Sequence, residues 1–327
     1  MNNVSRLRMA YLPTPLEPLD ALSADLGVDL WVKRDDQTGL ALGGNKTRKL
    51  EYLVADAVAR DCDTLVTAGA PQSNHCRQTA AAAARHDLRA TLVLGGAGHR
   101  ENTGNLFLSR LLGAEIEWVL DGQDRDEKMA EVCRELSTQG RNPCLIPVGG
   151  SNGIGARAYR DAFIELGNQL AEVGLSEFDR IVLASSSGGT QAGLAYGAAV
   201  AKSKTQVLGI SVDETKESLQ KIVSDLTRAC GRHLEARFYL EPEDISVCAD
   251  YAEPGYAVLT GAEREAIQLF AKREGLLLDP VYTGRAAAGL LDLIRRGEIR
   301  PGERILFWHT GGAPALFPYA GELSDLE

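Results

Sequence analysis

Short runs of β-branched and leucine residues alternate with longer helix-like stretches along most of the chain. The compact apolar runs predict strands over Leu30–Lys33, Thr64–Ala68, Ala90–Gly95, Glu115–Leu120, Cys144–Pro147, Arg180–Ala184, Gln206–Val212 and Arg304–His309. Between them, apolar residues recur at helical spacing over Thr47–Arg60, Asn74–His86, Thr103–Leu112, Asp126–Gln139, Ile154–Glu172, Thr190–Ala201, Lys216–Cys230, Ala262–Glu274 and Arg285–Arg296. Alternation of this kind predicts an α/β fold with parallel sheets covered by helices on both faces. A length of 327 residues suits two sheets in two domains better than one eight-stranded sheet. No linker rich in Pro, Gly or Ser separates halves, so the chain is expected to cross between domains more than once.

Charge and composition narrow the partners. With 35 Lys+Arg against 45 Asp+Glu the net charge is −10, which argues against nucleic acid. A small anionic ligand is not excluded, because its site can be locally basic. The six cysteines, at 62, 76, 133, 144, 230 and 248, contain no C-x-x-C pair, so reduced and mostly buried thiols are expected. The first residues lack the apolar core of a signal peptide, and no apolar run is long enough to span a membrane. The expected location is cytoplasmic. No metal is expected, since no His-Glu-x-x-His or His/Cys cluster occurs.

Three segments carry most of the chemistry. In Gly43-Gly44-Asn45-Lys46-Thr47-Arg48-Lys49 three cations crowd the first turn of a helix, where the macrodipole is already positive. That is either a solvated, slightly unfavourable helix start or a lysine amine placed in an anion site, able to condense with an aldehyde. Gly69-Ala70-Pro71-Gln72-Ser73-Asn74-His75 follows a strand and opens a helix, at the end of a parallel sheet where ligands bind. Ser73 or Asn74 there is an N-cap or a ligand contact; Ala80–Ala84 behind them reads as a surface for close helix packing. Ser185-Ser186-Ser187-Gly188-Gly189-Thr190 combines hydroxyls with glycines at a helix N-terminus, a phosphate cradle without a Walker lysine. Tyr282, before the helix at Arg285, and His309, at the end of the last strand, add an aromatic ring and polar groups. Gly149-Gly150-Ser151-Asn152-Gly153-Ile154-Gly155 has the glycine spacing of a dinucleotide loop. No tyrosine is followed by lysine four residues on, so that reading is set aside.

Taken in order, these segments resemble the pyridoxal-phosphate enzymes of fold type II, in the family of D-cysteine desulfhydrase and 1-aminocyclopropane-1-carboxylate (ACC) deaminase. The resemblance runs from Pro13-Thr-Pro-Leu16 and Lys33-Arg-Asp-Asp36 through Gly-Gly-Asn-Lys46 and Gln72-Ser-Asn-His75. It continues through the Ser/Gly loop to Asp279-Pro-Val-Tyr-Thr-Gly284 and His309-Thr-Gly-Gly-Ala-Pro314, and so covers essentially the whole chain. It implies a smaller domain, 50–163, inserted into a larger one formed by 1–49 and 164–327, with pyridoxal 5'-phosphate between them. It also implies a homodimer acting on a small amino acid.

By the same resemblance Lys46 is the lysine that carries the cofactor, and Ser73 faces the substrate carboxylate and Cα. Asn74 partners the ring oxygen, and His75 lies on the substrate side. Ser187, Gly188, Gly189 and Thr190 form the phosphate cup, with Lys49 as added counter-charge. Tyr282 stands beside the ring, Tyr256 lines the substrate side, and Thr310 lies on the cofactor. ACC deaminases resemble one another in having Glu after the tyrosine and Leu after the late histidine. Thr283 and Thr310 at those positions look like the desulfhydrase side. A hydroxyl near the ring nitrogen moderates the electron sink and favours β-elimination over ring opening. The implied reaction is α,β-elimination from D-cysteine to pyruvate, sulfide and ammonia. L-cysteate or ACC stands as the alternative substrate, and a non-catalytic cofactor-binding protein as a remote one. The chain departs from the family pattern in its Ser-Ser-Ser-Gly-Gly-Thr loop, in Trp308, and in a shorter 95–104 segment.

Overall fold

A computed structural model describes residues 6–120 and 123–323. Among these the strands are β1 (Leu16–Pro18), β2 (Asp29–Arg34), β3 (Thr64–Gly69), β4 (Arg89–Leu94), β5 (Glu115–Trp118), β6 (Pro143–Leu145), β7 (Arg180–Ser185), β8 (Gln206–Ser211), β9 (Ser246–Cys248) and β10 (Arg304–His309). The helices are α1 (Asp20–Leu26), α2 (Lys46–Ala59), α3 (Asn74–Arg85), α4 (Gly104–Leu111), α5 (Arg125–Thr138), α6 (Gly153–Val173), α7 (Gly189–Val200), α8 (Lys216–His233), α9 (Gly261–Glu274), α10 (Thr283–Arg295) and α11 (Ala320–Leu323).

The strands form a six-stranded sheet, ordered β1-β2-β10-β7-β8-β9, and a four-stranded sheet, ordered β5-β4-β3-β6. Every described pairing is parallel except β1 with β2, which is antiparallel at the sheet edge. All strands predicted from the sequence are present; β10 matches at both ends and the others differ by at most two residues at an end. The edge strands β1 and β9 have no counterpart in the prediction. Each is three residues long and carries too little apolar pattern to read; its pairing is imposed by the neighbouring strand. Helices α1 and α11 escape for the same reason, at seven and four residues.

The central strands of both sheets bury both faces, as helix-covered parallel strands require, while the edge strand β5 alternates exposed glutamates with half-buried residues. In β10, Ile305 and Phe307 pack with Val32, Ile210 and Phe270 on one side, while Leu306 and Trp308 pack with Tyr159, Phe163 and Leu194 on the other. In the four-stranded sheet, Leu65 and Leu92 join the core under α2 and α3, and Val66, Ala68 and Val93 face α5. Ala80, Ala82 and Ala83 pack against the α2 core with Leu50 and Val54, so this alanine run serves helix packing as its small side chains suggest. Among the described residues, no helix is long and apolar enough to cross a membrane.

Beneath the site lies a buried polar hub. Asp35 is fully buried and accepts hydrogen bonds from Arg48, Thr14 Oγ1 (2.9 Å), Tyr159 Oη (2.6 Å) and Trp308 Nε1 (2.8 Å). Arg48 also pairs with Glu165, and Glu165 pairs with the buried Lys33 at 2.7 Å. The Pro13–Leu16 and Lys33–Asp36 segments thus meet α2, α6 and β10 in one charged network. Asp35, Arg48, Lys33 and Glu165 leave few of their polar atoms unpaired, as burial of charge demands.

Candidate active site

The loops after β3, β7, β8 and β10 converge at the carboxyl ends of the two sheets, where they enclose a cavity of ≈ 240 Å³. Lys46, Ser73, Asn74, His75, Ser187, Gly188, Gly189, Thr190, Tyr256, Tyr282 and Thr310 all line it. Of the residues expected at the site, Lys49 alone stands behind the wall.

Lys46 opens α2 at the cavity, with its backbone fixed by the neighbouring Asn45, whose N–H donates to the Thr310 carbonyl at 2.9 Å. The Lys46 amine donates to Asn45 Oδ1 at 2.8 Å, and Asn45 Nδ2 donates to Thr190 Oγ1 at 3.0 Å. Asn45 therefore ties the lysine to the Ser/Gly loop. Burial brings the Lys46 ammonium down to about 8, against the opposing charge of Asp279. Its amine is consequently much closer to neutrality than a surface lysine.

The other two cations of this turn are not solvated. Arg48 turns away into the Asp35–Glu165 network. Lys49 is buried, donating to the Gly149 carbonyl at 3.1 Å and lying 3.4 Å from Ser151 Oγ. Burial, and then the charge of Lys46, holds Lys49 well below the usual lysine range. Two desolvated amines of like charge side by side call for an anion, so the solvated-helix reading fails.

The Ser/Gly loop provides a place for one. Gly188 has φ +74°, in the left-handed region, and α7 begins at Gly189, so the helix N-terminus faces the cavity. A Cβ on Gly189 would lie 2.6 Å from Ser151 Oγ and 2.9 Å from Lys49 Nζ, so any side chain there would displace these two groups. Ser187 Oγ and Ser151 Oγ are 2.9 Å apart, and the Gly189 N–H donates to Ser151 at 3.2 Å. Among the described residues, the buried Ser185 hydroxyl has no partner. Gly149 and Ser151 belong to the glycine-rich segment with dinucleotide-like spacing, and here that segment closes against the Ser/Gly loop.

On the opposite wall, Ser73 caps α3 by accepting from the Cys76 N–H at 3.2 Å while still lining the cavity, so the capping role does not take it away from the site. Asn74 Oδ1 accepts from Asn105 Nδ2 at 2.8 Å, which leaves the Asn74 amide N–H groups to the cavity. His75 Nε2 is 2.9 Å from Thr67 Oγ1, whose proton goes to the Ile146 carbonyl. The ring therefore donates through Nε2. Burial, followed by the charges of Lys46 and Lys49, keeps His75 neutral.

Tyr256 and Tyr282 meet through their hydroxyls at 2.6 Å, with rings edge to face. Burial pushes both phenols up, so both stay protonated at neutral pH. One hydroxyl donates to the other, leaving one proton of the pair for the cavity. Asp279 folds the preceding turn by accepting from the N–H groups of Val281, Tyr282 and Thr283. Thr283 spends its hydroxyl on Asp279 at 2.7 Å, whereas Thr310 lines the cavity. Of the two threonines, it is Thr310 that can face a bound ring.

The chain belongs to the pyridoxal-phosphate dependent enzyme family, which it matches over residues 7–311. Within it, the chain is 42% identical over 320 residues to D-cysteine desulfhydrase of Klebsiella pneumoniae (strain 342), covering 96% of each chain. The corresponding protein of Salmonella choleraesuis (strain SC-B67) is 43% identical over the same length and shares. A solved ACC deaminase homologue superposes with a TM-score of 0.89 at 38% identity, covering 98% of this chain and 96% of that one. The processed form of threonine deaminase isoform 2 from Solanum lycopersicum shares the fold, with a TM-score of 0.64 at 17% identity. The donor set suits the family's cofactor. Buried amines, an unpartnered serine hydroxyl and a glycine helix start match a phosphate ester, and Lys46 matches an aldehyde.

Proposed function

We propose that the chain is a carbon–sulfur lyase that carries out α,β-elimination on D-cysteine, yielding pyruvate, sulfide and ammonia with uptake of one water. The observation that carries this reading is the meeting of Lys46, Ser73 and the Tyr256–Tyr282 pair in one cavity beside a phosphate-sized cradle. The desulfhydrase names of relatives at 42 and 43% identity support the same choice.

Pyridoxal phosphate, when bound, supplies an electron sink for negative charge at the substrate Cα. Lys46 would hold it, with Ser187, Gly188, Gly189 and Thr190 around the phosphate, Asn74 and Thr310 at the ring, and Tyr282 beside it. The Lys46 amine, brought down to about 8, is poised to take the Cα proton. Ser73 and Asn74 orient the substrate carboxylate, and neutral His75 keeps a third positive charge away from the two lysines. The free proton of the tyrosine pair is available at a phenol oxygen for the departing sulfur.

The purified protein with added pyridoxal phosphate is expected to release pyruvate and sulfide in equal amounts from D-cysteine. Absence of pyruvate from D-cysteine, or faster formation of 2-oxobutanoate from ACC, would overturn the reading.

Lys49 gives a narrower check. Lys49→Gln removes the buried charge under the cradle and is expected to weaken pyridoxal phosphate binding by about 10- to 100-fold, the range of one charge-assisted contact. Binding of pyridoxal, which lacks the phosphate, should change far less. Equal loss for both ligands in a titration would remove Lys49 from the phosphate site.

A further inference from the structure

Behind the wall that carries Ser73 and Asn74 lies a cation for which the elimination chemistry has no use. Arg77, in the first turn of α3, is fully buried. Its Nε donates to Asn105 Oδ1 at 2.7 Å, and its terminal nitrogens donate to the carbonyls of Ala41 and Gly43, the latter at 3.0 Å. These acceptors are all neutral, and among the described residues no carboxylate pairs with the guanidinium. Burial brings it down to about 10, with no opposing charge to offset the shift. A cation in the first turn of a helix also opposes the macrodipole. A buried, unpaired charge is costly, so this one calls for an anion within reach.

The contacts of Asn105 lead from Arg77 to the cavity. Asn105, in the first turn of α4, donates from Nδ2 to Asn74 Oδ1 at 2.8 Å and to the Gln72 carbonyl at 2.9 Å. Its backbone N–H donates to Gln72 Oε1 at 2.9 Å. With a cation at its oxygen and two acceptors at its nitrogen, the Asn105 amide has one orientation. Asn74 is fixed in turn, its oxygen toward Asn105 and its amide N–H groups toward the cavity. The guanidinium, Asn105 and Asn74 thus form one directed row of donors, each polarising the next.

We infer that Arg77 is the remote counter-charge of the cofactor's ring oxygen, a positioning residue that acts through Asn105 and Asn74 without touching the cofactor. The inference rests on the placement of that oxygen at Asn74 proposed above. An ionised ring oxygen supplies the anion that Arg77 lacks, and a polarised Asn74 N–H is a stronger donor to it than an isolated amide. Arg77 also has a mechanical role. Its bonds to the Ala41 and Gly43 carbonyls clamp a turn in which Ala41 and Leu42 hold left-handed φ values of +43° and +70°, shortly before Lys46. That clamp serves any ligand of Lys46 alike, so the two roles separate by choice of ligand.

The test titrates the full chain, stripped of cofactor, with pyridoxal phosphate and with 3-deoxypyridoxal phosphate, which has hydrogen in place of the ring oxygen. The readout is the ratio of the two dissociation constants. For Arg77→Gln the preference for pyridoxal phosphate is expected to fall about 10-fold, the size of one interaction between unit charges across two amides. Loss of the clamp should weaken both ligands by a common factor, which cancels in the ratio. A common loss with the wild-type ratio kept overturns the inference. Asn105→Ala leaves the clamp in place and should lower the preference similarly. An unchanged preference there breaks the path and overturns the inference, even where Arg77→Gln fails to fold. Asn74→Ala separates the inference from the reading beneath it. If Asn74→Ala lowers the preference and Arg77→Gln does not, the inference alone fails. If Asn74→Ala leaves the preference unchanged, the ring oxygen lies elsewhere and both fail.

Discussion

Lys46→Ala is expected to lower turnover by about 10⁴-fold or more, because one substitution removes both the covalent anchor and the base. The variant should also lose the long-wavelength absorbance that pyridoxal phosphate acquires on bonding to a lysine. It should keep measurable affinity for the cofactor, since Lys49 and the Gly188–Gly189 loop are untouched. Loading of the wild-type protein has a matching pH dependence. Only the neutral amine attacks an aldehyde, so the rate of colour development should rise with pH and level off above about 8, where Lys46 loses its proton. If Lys46→Ala keeps its colour and full turnover, the lysine has been misassigned.

The dependence on Lys46 shows what the chain discloses on inspection. Three cations in one helix turn were legible as an anomaly because they oppose the macrodipole. What each cation does was not legible, because their partners lie far away in sequence. Arg48 answers to Asp35 and Glu165, and Lys49 to Gly149. Strand–helix alternation revealed the α/β class and every strand long enough to carry a pattern. The three-residue edges β1 and β9 carried none. Loops at strand ends were legible as ligand sites because glycines and hydroxyls there have few other uses.

The convergence of those loops belongs to topology. Nothing local says that Gly149–Ser151 closes against Ser187 and Lys49, so its glycine spacing suggests only the dinucleotide loop that the tyrosines argue against. Trp308 was visible as a departure from the family pattern, but its reason is tertiary: its indole N–H serves the carboxylate of Asp35.

That carboxylate sets the largest expected effect on stability. Asp35→Ala leaves Arg48 with Glu165 as its one acidic partner and removes the acceptor of Tyr159, Trp308 and Thr14, at a cost of about 3–5 kcal/mol, as for breaking a buried ion pair. Thermal or urea unfolding should register this as a large drop in midpoint. Trp308→Phe removes one donor and part of a buried ring, so it should cost at least about 1.5–3 kcal/mol, the worth of a hydrogen bond to a charged group. The sign of the pH dependence follows from the charge. Burial opposes ionisation of Asp35, yet Arg48 and then Lys33 hold its carboxyl below the ordinary range. A folded-state pKa below the unfolded one gives stability that is present at neutral pH and lost as pH falls through the folded value. The gap between wild type and Asp35→Ala should therefore narrow on acidification. Because Tyr159 Oη donates to Asp35 and lies 3.2 Å from the Asn45 carbonyl, the same substitution loosens the backbone next to Lys46. At a temperature where Asp35→Ala is still folded, its turnover should already be reduced. A variant that melts like wild type would show that Asp35 holds neither the network nor the lysine.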